Sequence, residues 1–118
     1  MEVEAIAYAK DHNCILVLKG QGTMVTDGER VFRNASGNVG MATGGSGDVL
    51  TGVIASLIGQ GYQPFEAAVL GVHAHGRAGD FAAEKFGKIS MVATDVLDSL
   101  AAAFKSQAAS GEEMRIGF

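Results

Sequence analysis

Asn38-Val39-Gly40-Met41-Ala42-Thr43-Gly44-Gly45-Ser46-Gly47-Asp48-Val49-Leu50-Thr51-Gly52 is a loop of small residues running into a strongly periodic apolar segment. Val49, Leu50, Val53, Ile54, Leu57 and Ile58 recur at helical spacing, which predicts a helix with an apolar stripe ending near Gly61. Gly52, Ala55, Ser56 and Gly59 would make an adjacent small face suited to close packing. Gly44 to Asp48 thus fall at a helix N-terminus, where first-turn N–H groups lack internal partners and the macrodipole is positive. Such a turn binds anions, phosphates above all. Glycine at 45 and 47 would let a phosphate oxygen reach the backbone and permit positive φ. Ser46 would cap the helix or add a hydroxyl donor. Asp48 puts a carboxylate in the same turn, where it can accept the proton of an attacking hydroxyl while the amides stabilise charge on a transferred phosphoryl group.

Taken alone, Gly-Gly-Ser-Gly-Asp is equally a flexible loop with an aspartate at a helix start. It is not a Walker A loop, because no Gly-Lys-Ser or Gly-Lys-Thr ends it, and no Gly-x-Gly-x-x-Gly dinucleotide fingerprint stands at the first strand-to-helix turn.

Upstream, Val3, Ile6, Ala7 and Ala9 predict a short amphipathic helix over Glu2 to His12. The apolar run Cys14-Ile15-Leu16-Val17-Leu18 predicts a strand covered on both faces, as in a parallel sheet, ending at Lys19-Gly20. Thr23 to Thr26 and Arg30 to Arg33 flank Asp27-Gly28-Glu29, a hairpin signal. Downstream, Pro64 suits a first helical position and Gly87 a stop, so a helix is predicted between them, and another over about 91–105. Residues 1–105 read as one partial catalytic domain and 106–118 as a loose tail or expression remnant. His73 and His75 lie two apart on a helix, facing different ways, and read as packing residues and not as a metal pair. Asp80, Glu84, Asp95 and Asp98 read as solvated faces or caps, and Lys19 alone would be an ordinary surface lysine.

With 118 residues the chain is one domain at most, and 47% hydrophobic against 19% charged residues describes a globular one. The net charge of -4, without any block of lysine or arginine, speaks against nucleic acid and anionic membranes and for a small soluble ligand. The single cysteine, Cys14, forms no internal disulfide. No stretch reads as a membrane span, and Met-Glu-Val-Glu-Ala-Ile lacks the basic flank of a signal peptide, so a cytoplasmic setting is expected.

Asn38 to Gly52 closely resembles the signature of the ADP- or ATP-dependent NAD(P)H-hydrate dehydratases, a branch of the ribokinase-like superfamily. Leu18-Lys19-Gly20-Gln21-Gly22-Thr23 looks like that family's nucleotide-binding turn, and Gly71-Val72-His73-Ala74-His75-Gly76-Arg77-Ala78-Gly79-Asp80 like its downstream helix with a His-Gly-x-Ala-Gly core. These segments agree in order and spacing. Sugar, thiazole and pyridoxal kinases share the Gly-x-Gly-Asp end but not the preceding Gly-Met-Ala-Thr.

The resemblance implies an α/β fold of ribokinase-like three-layer α/β/α type, of which only the carboxy-terminal half is present. It implies that Asp48 is the catalytic base and contacts the substrate, and that Gly45, Ser46 and Gly47 form the anion hole. Lys19, Gly20, Gln21, Gly22 and Thr23, with Gly47, would contact the nucleotide. In that family phosphate passes from ADP or ATP to the ring hydroxyl of (6S)-NAD(P)HX, and its elimination restores NAD(P)H. Mg2+ is expected with the nucleotide, although no carboxylate pair marks a metal site. A half-domain would also be expected to bind nucleotide weakly, to associate as a homo-oligomer, or to be inactive alone. The rival readings are a ribokinase-like small-molecule kinase and a non-catalytic nucleotide-binding or oligomerising fragment.

Overall fold

Local signals lay the chain out as α1 (Glu2–His12), β1 (Leu16–Leu18), β2 (Met24–Thr26), β3 (Val31–Arg33), a 3-10 turn at Val39–Met41, α2 (Ser46–Gly59), α3 (Pro64–Phe86) and α4 (Ala93–Ser110). The computed structural model describes residues 2–19, 22–41 and 44–110; Met1, Gly20, Gln21, Ala42, Thr43 and 111–118 lie outside the described residues. No helix among those described is long and apolar enough to cross a membrane.

The strands form one antiparallel sheet in the order β1-β2-β3. Leu16 pairs with Thr26, and Val25 with Phe32. This corrects the expectation for β1, which is half-buried and antiparallel to its neighbour, while β2 is the strand buried throughout. The apolar run at 14–18 misled because it packs into the core only in part: Ile15 and Val17 are partly buried against Val25, Leu50, Phe65, Ala68, Val69 and Val72.

The hairpin forms where Asp-Gly predicts it. Asp27 Oδ1 accepts the Glu29 and Arg30 N–H groups at 2.9 and 2.7 Å, and Gly28 takes φ 99°. A Cβ at Gly28 would stand 2.6 Å from the Lys10 backbone, so the turn lies directly on α1. Glu2 and Arg33 tie α1 to β3 as well. The apolar face expected on α1 is largely unburied: Ala9 is enclosed, whereas Val3 is 79% exposed.

Helix α3 is the spine. Pro64 presets its first turn, and the Gly87 N–H closes it on the Ala83 carbonyl at 2.8 Å, with φ 83° at Gly87. Its first half packs into the sheet-side core with Leu50 and Val25, and its second half into another core with Met91, Val96 and Ala103 of the α4 region. Close approach of α2 and α3 does not use the small face read on α2, since a Cβ added at Gly52 or Gly59 would meet nothing within 4 Å. Gly71 of α3 provides it: a Cβ there would lie 2.7 Å from Ile54 Cγ1. Asp95 closes the start of α4 by accepting the Val92 N–H at 2.8 Å, as in a capping box. That helix continues to Ser110, beyond the end read near Lys105.

Candidate active site

The loop before α2 is held by side-chain amides and one carboxylate. Asn34, buried, donates from Nδ2 to the Val72 carbonyl at 3.3 Å, and its Oδ1 accepts the Ser36 hydroxyl at 2.9 Å. The Ser36 hydroxyl is also 3.1 Å from the His73 carbonyl. Asp80 receives the Gly37 N–H on one oxygen at 3.0 Å and Asn38 Nδ2 on the other at 2.9 Å. Asn38 Nδ2 lies 3.1 Å from the Gly79 carbonyl, and Asn38 Oδ1 accepts the Gly40 N–H at 2.9 Å. Asp80, read from the sequence as a solvated face or a cap, is therefore a half-buried anchor for the loop. Glycine spacing on α3 makes room for the loop, because a Cβ at Gly76 would collide with Ser36 and one at Gly79 with Met41.

The loop delivers the chain to Gly45, which caps α2 in the left-handed region at φ 87° and ψ -10° with no side-chain cap. A glycine is required at that φ. The Gly45 carbonyl then accepts the Val49 N–H at 3.1 Å, and the amides of Ser46, Gly47 and Asp48 form the first turn. Helix geometry leaves such N–H groups without intrahelical acceptors, facing whatever lies beyond the terminus.

Lys19 comes to the same turn. A Cβ added at Gly47 would lie 2.5 Å from the Lys19 ammonium nitrogen, so the glycine lets that cation sit against the helix terminus. Asp48 is exposed on this turn. Ser46 departs from expectation: it neither caps α2 nor offers its hydroxyl outward, but is buried with Oγ 3.3 Å from His75 Nε2. It thus has only its backbone N–H for an anion. Burial is the main influence holding His75 below the ordinary imidazole range; the Ser46 backbone pulls the other way, and the Lys19 ammonium adds to the depression.

Of the residues read from the sequence, Lys19, Gly45, Ser46, Gly47 and Asp48 converge on one end of α2. Gly22 turns with φ 74°, and the Thr23 carbonyl accepts the Asn34 N–H at 2.8 Å, so the Lys19 turn is tied to the start of the loop. Gly20 and Gln21 lie outside the described residues. Sequence reasoning missed the parts played by His75, Asp80 and Asn38. Their signal was the Gly71, Gly76, Gly79 series with intervening alanines, which marks a helix face against which other backbone presses.

Residues 3–102 match the family model described as NAD(P)H-hydrate dehydratase. The chain belongs to the NAD(P)H-hydrate dehydratase family. The bifunctional NAD(P)H-hydrate repair enzyme Nnr of Moorella thermoacetica is 52% identical over 98 residues, covering 81% of this chain and 18% of its own length. The ADP-dependent (S)-NAD(P)H-hydrate dehydratase of Neisseria meningitidis is 49% identical over 73 residues, covering 61% of this chain and 25% of its own. Among solved structures, Bacillus subtilis YxkO superposes with a TM-score of 0.81 at 28% identity, over 87% of this chain and 39% of that one. The B. subtilis ADP/ATP-dependent NAD(P)H-hydrate dehydratase co-crystallised with ATP/Mg2+ gives 0.77 at 26%, over 89% and 40%. This dehydratase-family chain therefore has the ribokinase-like α/β fold in part, and spans about a fifth of the first curated relatives it matches.

Proposed function

We propose that this chain carries the phosphoryl-handling, carboxy-terminal part of an ADP- or ATP-dependent NAD(P)H-hydrate dehydratase. The observation that carries the reading is the convergence of the Lys19 ammonium and the glycine-lined first turn of α2, with Asp48 on that same turn. The backbone N–H groups of Ser46 and Gly47, with the turn at Gly45, hold the transferred phosphate. Lys19, with Gly20, Gln21, Gly22 and Thr23, contacts the nucleotide. The hydroxyl oxygen of (6S)-NAD(P)HX bonds to the terminal phosphorus as the bridging P–O bond breaks toward the nucleotide, and Asp48 takes the hydroxyl proton. Loss of phosphate and of a proton from the neighbouring carbon then restores the double bond of NAD(P)H.

The names of the relatives in M. thermoacetica and N. meningitidis support this substrate, and co-crystallisation of the B. subtilis dehydratase with ATP/Mg2+ supports the nucleotide and the ion. The described residues include no group of three His, Cys, Asp or Glu side chains that could hold a metal ion, so a dedicated Mg2+ site does not fit them. Mg2+ in this reading arrives on the nucleotide phosphates, as an ion with few protein ligands does, and no step is assigned to it. A cytoplasmic setting and self-association belong to the same proposal.

The test is incubation of the protein with NADHX and ADP or ATP, following phosphate release and reduced-nicotinamide absorbance together. The purified chain alone should turn over slowly or not at all, and more when supplied with the remainder of a family catalytic domain. A stable phosphorylated alcohol would instead establish a kinase, and failure to bind either nucleotide would remove the reading.

A further inference from the structure

We propose that His75 is a positioning residue, which sets the anion-holding turn of α2 by fixing Ser46 from the side opposite the phosphate. This rests on the phosphoryl-handling reading above. Ser46 and His75 are both buried, at 6% and 8% exposure, and share a hydrogen bond of 3.3 Å across the α2–α3 contact. Gly45 supplies no side-chain cap, and the His75 contact is a side-chain hydrogen bond that ties the start of this helix to another element. Turning the Ser46 hydroxyl inward leaves the backbone N–H as the group that meets an anion. It also keeps the outer face of the turn open between Gly45 and Gly47.

His75 stands on α3 between Val72 of the sheet-side core and Ala78 of the α4-side core, so its ring is carried on rigid backbone. Charged side chains on His75's own helix and on the elements packed against it include Lys19 beyond β1, Asp48 on α2, Arg77 and Asp80 on α3, and Asp95 on α4. Of these, Lys19 acts on the titration of the ring, reinforcing burial in favour of the neutral form. A neutral imidazole can share a hydrogen with a hydroxyl in either sense, whereas an imidazolium only donates. Phosphate arriving at the turn would offset the Lys19 charge, so occupancy and the His75 titration are linked.

The experiment measures ADP affinity by calorimetry for the wild-type chain, His75→Leu, His75→Gln and Ser46→Ala, with thermal melts of each. It also follows the His75 ring by NMR against pH with and without ADP. His75→Leu and Ser46→Ala are expected to weaken ADP binding about tenfold, and His75→Gln, which keeps a polar partner, to recover most of it. ADP should raise the His75 titration midpoint in the wild-type protein, which a ring serving only to pack α3 would not show. Should His75→Leu fail to fold, the Ser46→Ala affinity and the wild-type titration still decide. Wild-type affinity in folded His75→Leu, or a titration indifferent to ADP, overturns the positioning role alone. Absence of ADP binding in the wild-type chain overturns the nucleotide reading and this inference with it.

Discussion

Replacing Gly47 with alanine should make the fold more stable and the site worse. The added Cβ would lie 2.5 Å from Lys19 Nζ and 3.8 Å from Cε, so the ammonium must retreat by about 1 Å to reach ordinary contact. What yields is the far end of a flexible side chain, and Gly47 is not among the glycines held at positive φ, so the backbone accepts alanine without strain. Alanine within a helix is favoured over glycine by about 0.5 to 1 kcal/mol, worth about 2 to 4 °C in melting temperature for a domain of this size. Against that, withdrawing a cation from about 4 to 5 Å of a phosphate costs about 0.8 kcal/mol near a protein surface. The methyl group also obstructs a charge-assisted bond from the backbone, worth at least about 1.5 kcal/mol. Together these predict a loss of about 2 kcal/mol, or about thirtyfold, in ADP affinity. Gly52→Ala is the control: a Cβ at Gly52, in the same helix, would meet nothing within 4 Å, and alanine there should raise the melting temperature and leave binding alone. Thermal melts without ligand and calorimetric titration with ADP read both quantities. Wild-type affinity in Gly47→Ala, or a fall in its melting temperature, would refute the reasoning.

Asp48→Asn should leave ADP affinity within about twofold while lowering dehydration of NADHX at least about 100-fold in an active preparation, measured as phosphate release; an undiminished rate would remove Asp48 as the base. Because His75 is held below its ordinary imidazole value of about 6.5, the unfolded chain binds its proton first. Its contribution to stability is therefore complete above that pH and is lost as pH falls toward the folded value; denaturant melts should show this slope flattened in His75→Gln. Asp80→Ala removes the acceptors of the Gly37 N–H and of Asn38 Nδ2 and should destabilise by about 1 to 3 kcal/mol, with faster hydrogen exchange at Gly37. Asp95→Ala removes the acceptor of the Val92 N–H and should cost about 1 kcal/mol in a denaturant melt.

The sequence made the helices legible because their signals are local. Pro64 and Gly87 bound α3, and the periodic apolar residues after Asp48 identify α2. The glycine-lined start of α2 was legible too, since glycines beside an aspartate mark where a loop gives way to a helix. What stayed hidden was pairwise and long-range. The neighbours of the apolar run at 14–18 are chosen by the hairpin that folds back on it, which nothing within the run encodes. Ser46 could equally have capped its own helix; its inward turn depends on His75, 29 positions away in sequence. Asp80 looks like any helical surface carboxylate until the loop 43 residues earlier is laid against it.

The site is also the place where local rules conflict. A lysine belongs near the negative end of a helix, yet Lys19 stands at the positive end of α2, beside the amides of its first turn. Such a placement is unfavourable by about a few tenths of a kcal/mol, and Asp48 in the same turn offsets only part of it. Burial lowers the His75 pKa, which disfavours a third positive charge in the neighbourhood. The Asn34, Ser36 and Asp80 contacts, with the packing of α3 on both cores, hold these groups in place although they repel. An anion between Lys19 and the turn converts the mutual repulsion into attraction. In the proposed reading a phosphate there relieves the conflict that Asp48 offsets only in part, so the feature that costs the fold stability is the one that would select for negative charge.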